Sequence, residues 1–106
     1  MESEKLQESA FEIILNSGDA RTFVHDAFKA MRAGRYGDAE MHLEKADEGL
    51  MKAHRAQTEL LKEYANGEKI EMEIIMVHAQ DHLMTTMTLK EVAIEMLELY
   101  KRVDSK

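Results

Sequence analysis

Ile74-Ile75-Met76-Val77-His78-Ala79-Gln80-Asp81-His82-Leu83-Met84-Thr85 opens the segment whose reading decides the fold. From about residue 70 to about residue 102 the chain holds neither glycine nor proline, so nothing there interrupts a helix. With Met87, Leu89, Val92, Ile94, Met96, Leu97 and Leu99, its apolar residues point around most of a helical perimeter. One stripe does not hold them. A helix apolar on several sides is buried on several sides, and two companion helices of the same chain do not cover it fully. The segment is therefore expected to face other subunits as well.

The two upstream segments have simpler patterns. Leu6, Ala10, Ile13, Ser17, Ala20, Val24, Ala27 and Met31 recur at alternating spacings of four and three, which is a helix seam. Gly18 falls within it, at a cost of about 1 kcal/mol against Ala, and marks a kink or a close helix crossing. Ala39, Leu43, Ala46, Leu50, Ala53, Gln57, Leu60 and Tyr64 repeat the same register past Gly37, and Asn66-Gly67 supplies a C-terminal stop. The expected helices are about 3–33, 38–65 and 70–102, in one domain spanning 1–106. The connectors around Gly34 and Gly67 are short, which makes neighbouring helices antiparallel. With no proline, 5 glycines and 6% aromatic residues, the class is all-α: an antiparallel three-helix bundle, a thin rod roughly 45 Å long. Pooling the third helix of several copies would enlarge its small core.

Composition excludes several functions. Lys and Arg number 14 against 21 Asp and Glu, and a net charge of -7 repels nucleic acid and anionic lipid, so a basic protein is the better partner. There is no cysteine, hence no disulfide, thiolate chemistry or Cys-based zinc site. The stretch Met1-Glu2-Ser3-Glu4-Lys5 has mixed charge and runs into an amphipathic segment, unlike a secretory signal or a membrane span. These features point to a cytoplasmic chain with no membrane insertion.

Within the most apolar segment sits His78-Ala79-Gln80-Asp81-His82. Extending the seam from Ile74 places His78, Asp81, Thr85 and Thr88 on what reads as a core stripe, where unpaired polar groups are costly. Three readings fit the cluster. The first is a wet helix face on which His78, Asp81 and His82 satisfy one another. The second is a zinc hydrolase, since H-x-x-D-H sets two imidazoles four residues apart; that chemistry needs a third ligand and a general base, and Asp is one methylene shorter than the Glu of the H-x-x-E-H pattern. The third is nucleophilic: a neutral His78 nitrogen takes a phosphoryl group as a labile phosphoramidate, with Gln80, His82 and Thr85 as candidate neighbours for the ring and the phosphoryl oxygens.

The chain resembles the IIA component of the lactose/cellobiose (chitobiose) branch of the bacterial phosphoenolpyruvate-dependent sugar phosphotransferase system. The resemblance is carried by Phe11-Glu12-Ile13-Ile14, Ser17-Gly18-Asp19-Ala20-Arg21, Ala53-His54-Arg55-Ala56-Gln57-Thr58 and above all Val77-His78-Ala79-Gln80-Asp81-His82-Leu83-Met84-Thr85. It implies a homotrimer, a nine-helix bundle with the third helices nearest the axis. It further implies that His78 accepts phosphate from the phosphocarrier protein HPr and passes it to a cysteine of the cognate IIB component. Gln80 and His82 would support that step. The membrane IIC component then takes up a disaccharide of cellobiose/chitobiose or lactose type. The resemblance also places Asp81 on the trimer axis as a metal ligand, with Mg2+ as the expected divalent cation.

Two features stand beside this. Met76, Met84 and Met87 lie near His78 and fill core or suit a surface that receives different partners, whereas His25, His42 and His54 read as solvated. The turn from Gly34 to Ala46 has a tetratricopeptide-like pattern in a single copy, and the alternative it offers is a helical interaction scaffold without catalysis.

Overall fold

The computed structural model describes residues 2–106; Met1, the first residue of the N-terminal stretch considered above, lies outside them. Three helices, α1 (Ser3–Arg32), α2 (Tyr36–Ala65) and α3 (Ile74–Asp104), run up, down and up in a bundle 56 Å long and about 20 Å across, with no strand among the described residues.

The turns follow from two glycines. At the end of α1, Gly34 has φ 74° and its N–H donates to Met31 O, while Arg35 N–H donates to Ala30 O. At the end of α2, Gly67 has φ 91°, with Gly67 N–H on Tyr64 O and Glu68 N–H on Glu63 O. Both pairs of bonds form Schellman motifs, which use a left-handed residue to satisfy the last helical carbonyls and reverse the chain.

All eight seam residues expected in α1 are buried, and so are Ala39, Leu43, Ala46, Leu50, Ala53 and Leu60 of α2. Tyr64, at the frayed end of the second seam, is exposed. Alanines Ala10, Ala20, Ala27, Ala39, Ala46 and Ala53 dominate this interface, so α1 and α2 approach closely. Gly49 marks the tightest point. A Cβ there would lie 3.0 Å from Asn16 O and 3.3 Å from Ala20 Cβ.

The third helix departs from expectation in two ways. It begins at Ile74, some four residues beyond the expected start, because the preceding segment is extended and pinned. Glu73, with φ -80° and ψ 153°, accepts hydrogen bonds from Ser3 Oγ at 2.8 Å and Gln7 Nε2 at 3.5 Å, so its carboxylate belongs to α1. The other departure concerns the stripe. Ile74, His78, Asp81, Thr85, Thr88 and Val92 do not form the core; all are exposed, and the residues packed on α1 and α2 are Met76, Ala79, Leu83, Thr86, Ala93 and Leu97. Because α3 is apolar on two faces, periodicity alone does not say which face the chain buries for itself.

Polar ties join α2 to α3: Lys90 to Asp47 at 2.6 Å, Lys101 to Glu40 and Tyr36 to Asp104. Pairs this exposed contribute about 0–1 kcal/mol each. Packing therefore carries the fold. Gly49→Leu should destabilise it by about 1–3 kcal/mol through overpacking at α1; urea unfolding followed by circular dichroism measures the loss, and an unchanged midpoint would contradict the close approach.

Candidate functional site

Five positions separate His78 from Leu83 along α3, and the helix deals them to different faces. His78 is exposed, and one turn later His82 is half-buried against α1. Their rings are parallel to within 6°, with centroids 5.9 Å apart. This is an offset stack, and no hydrogen bond joins the two imidazoles.

What holds His82 is α1. Arg21 Nη1 lies 3.5 Å from His82 Nδ1, and a guanidinium only donates, so Nδ1 is the accepting nitrogen and the ring proton is assigned to Nε2. Nε2 in turn faces Gly18, where an added Cβ would stand 3.6 Å away. Gly18 is thus the close helix crossing foreshadowed by the sequence, and α1 continues through it without a break. Burial pushes the His82 pKa below the usual imidazole value; the Arg21 guanidinium and His78 push the same way, and Asp81 opposes them. His82 is accordingly neutral at neutral pH.

Of the other candidates, Asp81 is exposed on the outer side of α3. Gln80 faces away from His78: its Oε1 accepts from Gln57 Nε2 of α2, and its own Nε2 lies 3.6 Å from Met76 Sδ. There it lines an open, largely apolar groove of about 410 Å3 between α2 and α3, with Tyr64 and Met72. Support for the His78 ring from Gln80 is therefore absent within the chain. Thr85 spends its hydroxyl proton on Asp81 O at 2.7 Å. Met84 and Val77 flank His78 as exposed apolar residues, whereas Met76 is buried.

The arrangement does not resemble a zinc site. The parallel rings do not converge, both nitrogens of His82 face α1, and among the described residues no group of three or more His, Asp or Glu is placed to hold an ion within one chain. Of the distant histidines, His25 and His54 are exposed. His42 corrects the expectation of a solvated ring. It is half-buried, stacked on Phe23 with centroids 6.5 Å apart, and its Nδ1 is buried without a hydrogen-bond partner.

Known proteins share this architecture. The profile of the family described as the lactose/cellobiose-specific IIA subunit of the phosphotransferase system matches residues 8–101. The chain belongs to that family. Its members are phosphotransferase components that act in sugar uptake. Among relatives, the lichenan-specific phosphotransferase enzyme IIA component of Bacillus subtilis is 45% identical over 101 residues, covering 95% of this chain and 92% of its own length. The crystal structure of PtcA from Streptococcus mutans superposes with a TM-score of 0.94 at 68% identity, covering 95% of this chain and 99% of that one. A IIA(Chitobiose) chain solved in complex with HPr from Escherichia coli gives a TM-score of 0.81 at 33% identity, covering 98% and 99%.

Residue chemistry marks Gly18 only as a kink or close crossing and does not single out Arg21, the other neighbour of His82 in this IIA chain. The signal was present in Ser17-Gly18-Asp19-Ala20-Arg21, where a glycine inside a helix stands three residues from a cation. Gly18→Ala should leave the His82 ring in place and stabilise α1 by up to about 1 kcal/mol, since 3.6 Å is ordinary contact. Gly18→Leu should instead displace His82 and undo the stack, read as shifts of both imidazole resonances by NMR. Unmoved resonances in the leucine variant would contradict the contact.

Proposed function

We propose that this chain is a cytoplasmic phosphoryl carrier, which accepts a phosphoryl group from phosphorylated HPr on His78 and passes it to a cysteine of a cognate IIB component. The observation that carries this reading is an exposed imidazole on an apolar helix, its ring backed by a second, neutral imidazole fixed to α1, in a chain of the IIA family. The exposure of His78 suits it to meeting other proteins. No described helix is long and apolar enough to cross a membrane, so transport itself falls to a separate IIC component.

The chemistry asks little of the carrier. The lone pair of a neutral His78 nitrogen forms the new N–P bond while the donor's N–P bond breaks and its electron pair stays on the donor ring. Imidazole suits this because its ring nitrogen is nucleophilic and the N–P bond it forms is labile. Positioning and electrostatics provide most of the catalysis in such transfers. The acidic chain, with net charge -7, speeds its encounter with basic patches on a donor. The sugar is a disaccharide of cellobiose/chitobiose or lactose type, a class to which names among the relatives belong.

The uncovered face of α3 supports assembly into a homotrimer. Ile74 is 89% exposed, and Val77, Met84, Val92 and Leu99 continue an apolar stripe along the helix. Three such stripes meeting on an axis would make a nine-helix bundle and set three copies of Asp81 together. Converging carboxylates repel unless protons or a cation intervene. The donor chemistry fits Mg2+, which takes carboxylate oxygens, and the single Asp81 of each chain makes the site complete only on assembly. The ion would neutralise the axis and has no step in the transfer.

Incubation with phosphoenolpyruvate, enzyme I and HPr should add one acid-labile phosphoryl group by intact mass, and His78→Ala should gain nothing. The same mass gain in the alanine variant refutes the assignment. A helical scaffold without catalysis predicts no gain in either. Separately, Asp81→Leu should keep or strengthen the trimer in sedimentation equilibrium and remove its response to Mg2+; dissociation to monomers counts against an axial Asp81.

A further inference from the structure

Arg21 is anomalous in its electrostatic company. The chain carries a net charge of -7; Lys90 and Lys101 reach across helices to carboxylates, and Lys45 of α2 lies over the Phe23 ring of α1. Among the described residues Arg21 has no carboxylate within ion-pair distance; the side-chain partner it does have is the nitrogen of a neutral imidazole, His82 Nδ1, at 3.5 Å. A half-buried guanidinium held by one long contact to a neutral acceptor keeps most of its five donors uncommitted. The imidazole it touches is the one stacked on His78, so the guanidinium lies one ring away from the nucleophile.

We propose that Arg21 is the phosphoryl-binding residue of the carrier: once His78 is phosphorylated, the guanidinium swings from His82 to the phosphoryl oxygens and holds them by charge-assisted hydrogen bonds. The inference rests on the carrier reading above and assigns its anion ligand. The phosphoryl group arrives with close to two negative charges on a chain that is already acidic, beside the exposed carboxylate of Asp81. Guanidinium is the side chain that matches tetrahedral oxyanions with paired donors. Its present contact is cheap to give up, because it is long and involves a neutral acceptor. The arrangement also explains why Arg21 occupies α1. From that helix it reaches the ring pair from the side, leaving the outer face of His78 free for the incoming donor.

In the step itself, the His78 lone pair bonds to phosphorus as the donor ring reclaims the electrons of its own N–P bond. The N–H on the second His78 nitrogen makes the product ring cationic until that proton leaves to water. Arg21 exchanges no proton and contributes only charge and donors.

The test uses the full chain with phosphoenolpyruvate, enzyme I and HPr. In the wild type, the Arg21 Nε–H resonance should shift on phosphorylation, and the His78→Ala control should show no such shift under the same mixture. In single-turnover transfer from phospho-HPr, Arg21→Gln should still reach one phosphoryl group per chain but about a hundredfold more slowly, and Arg21→Lys should recover a substantial part of the rate. A wild-type resonance that stays put while the protein gains its phosphoryl group overturns the assignment, even if Arg21→Gln fails to fold. So does an Arg21→Gln variant that transfers at the wild-type rate. A wild-type chain that gains no phosphoryl group sinks the carrier reading itself, and this assignment with it.

Discussion

The third helix has to serve two apolar environments at once, and the rest of the molecule is arranged around that demand. One face, from Met76 through Ala79, Leu83 and Thr86 to Leu97, closes the bundle against α1 and α2. The opposite face, from Ile74 to Leu99, stays uncovered. Polar groups are costly in the middle of either face, so the cheapest place for a reactive imidazole is the boundary between them. His78 lies on that boundary. Its ring is exposed, yet its neighbour one turn along is partly buried, and the pair inherits the rigidity of a helix fixed on its other side.

That rigidity is bought with small residues and loose ends on α1. Gly18 gives up roughly 1 kcal/mol of helix propensity against alanine beneath the His82 ring, where a larger side chain than alanine would meet the imidazole. Ser17, next to it, is fully buried with its hydroxyl unpartnered, as is Thr86, one turn beyond His82 on α3. A buried polar atom without a partner costs about 1–3 kcal/mol. Two of the three such atoms among the described residues thus lie on the helix turns that carry the site, and the third, His42 Nδ1, lies at the α1–α2 interface against Phe23. Local unfavourable terms persisting beside a reactive group are what a functional constraint leaves behind.

Much of this was legible in the residues. The α1 seam is clean because that helix has one apolar stripe, and both turns are announced by glycines that only a left-handed conformation explains. The third helix resisted because it has two stripes: a periodicity argument weighs Ile74, Asp81 and Val92 no differently from Met76, Leu83 and Ala93. Its start was misplaced for a different reason. Glu73 reads as an unremarkable helical glutamate until Ser3 and Gln7, some seventy residues away in the chain, are seen to hold its carboxylate. The same long-range logic hid the company of His82. Nothing within α3 tells that Arg21 and Gly18 are its neighbours, or that Gln80 turns the other way to meet Gln57.

A shallow site follows from having to be emptied as readily as it is filled. A nucleophile enclosed in a pocket gains stabilisation for its bound state, but that stabilisation slows release to the next protein. Here the imidazole stands proud of the surface, its one fixed neighbour touches a face and not a nitrogen, and its side-chain surroundings are apolar on the flanks. Neither ring nitrogen of His78 is committed to a hydrogen bond among the described residues, so the lone pair is not weakened by an internal donor. The electrostatic help lies one ring further back, on a different helix, where it does not obstruct either partner. Such an arrangement leaves the imidazole open to one partner after another, and a relay needs that access more than it needs tight binding.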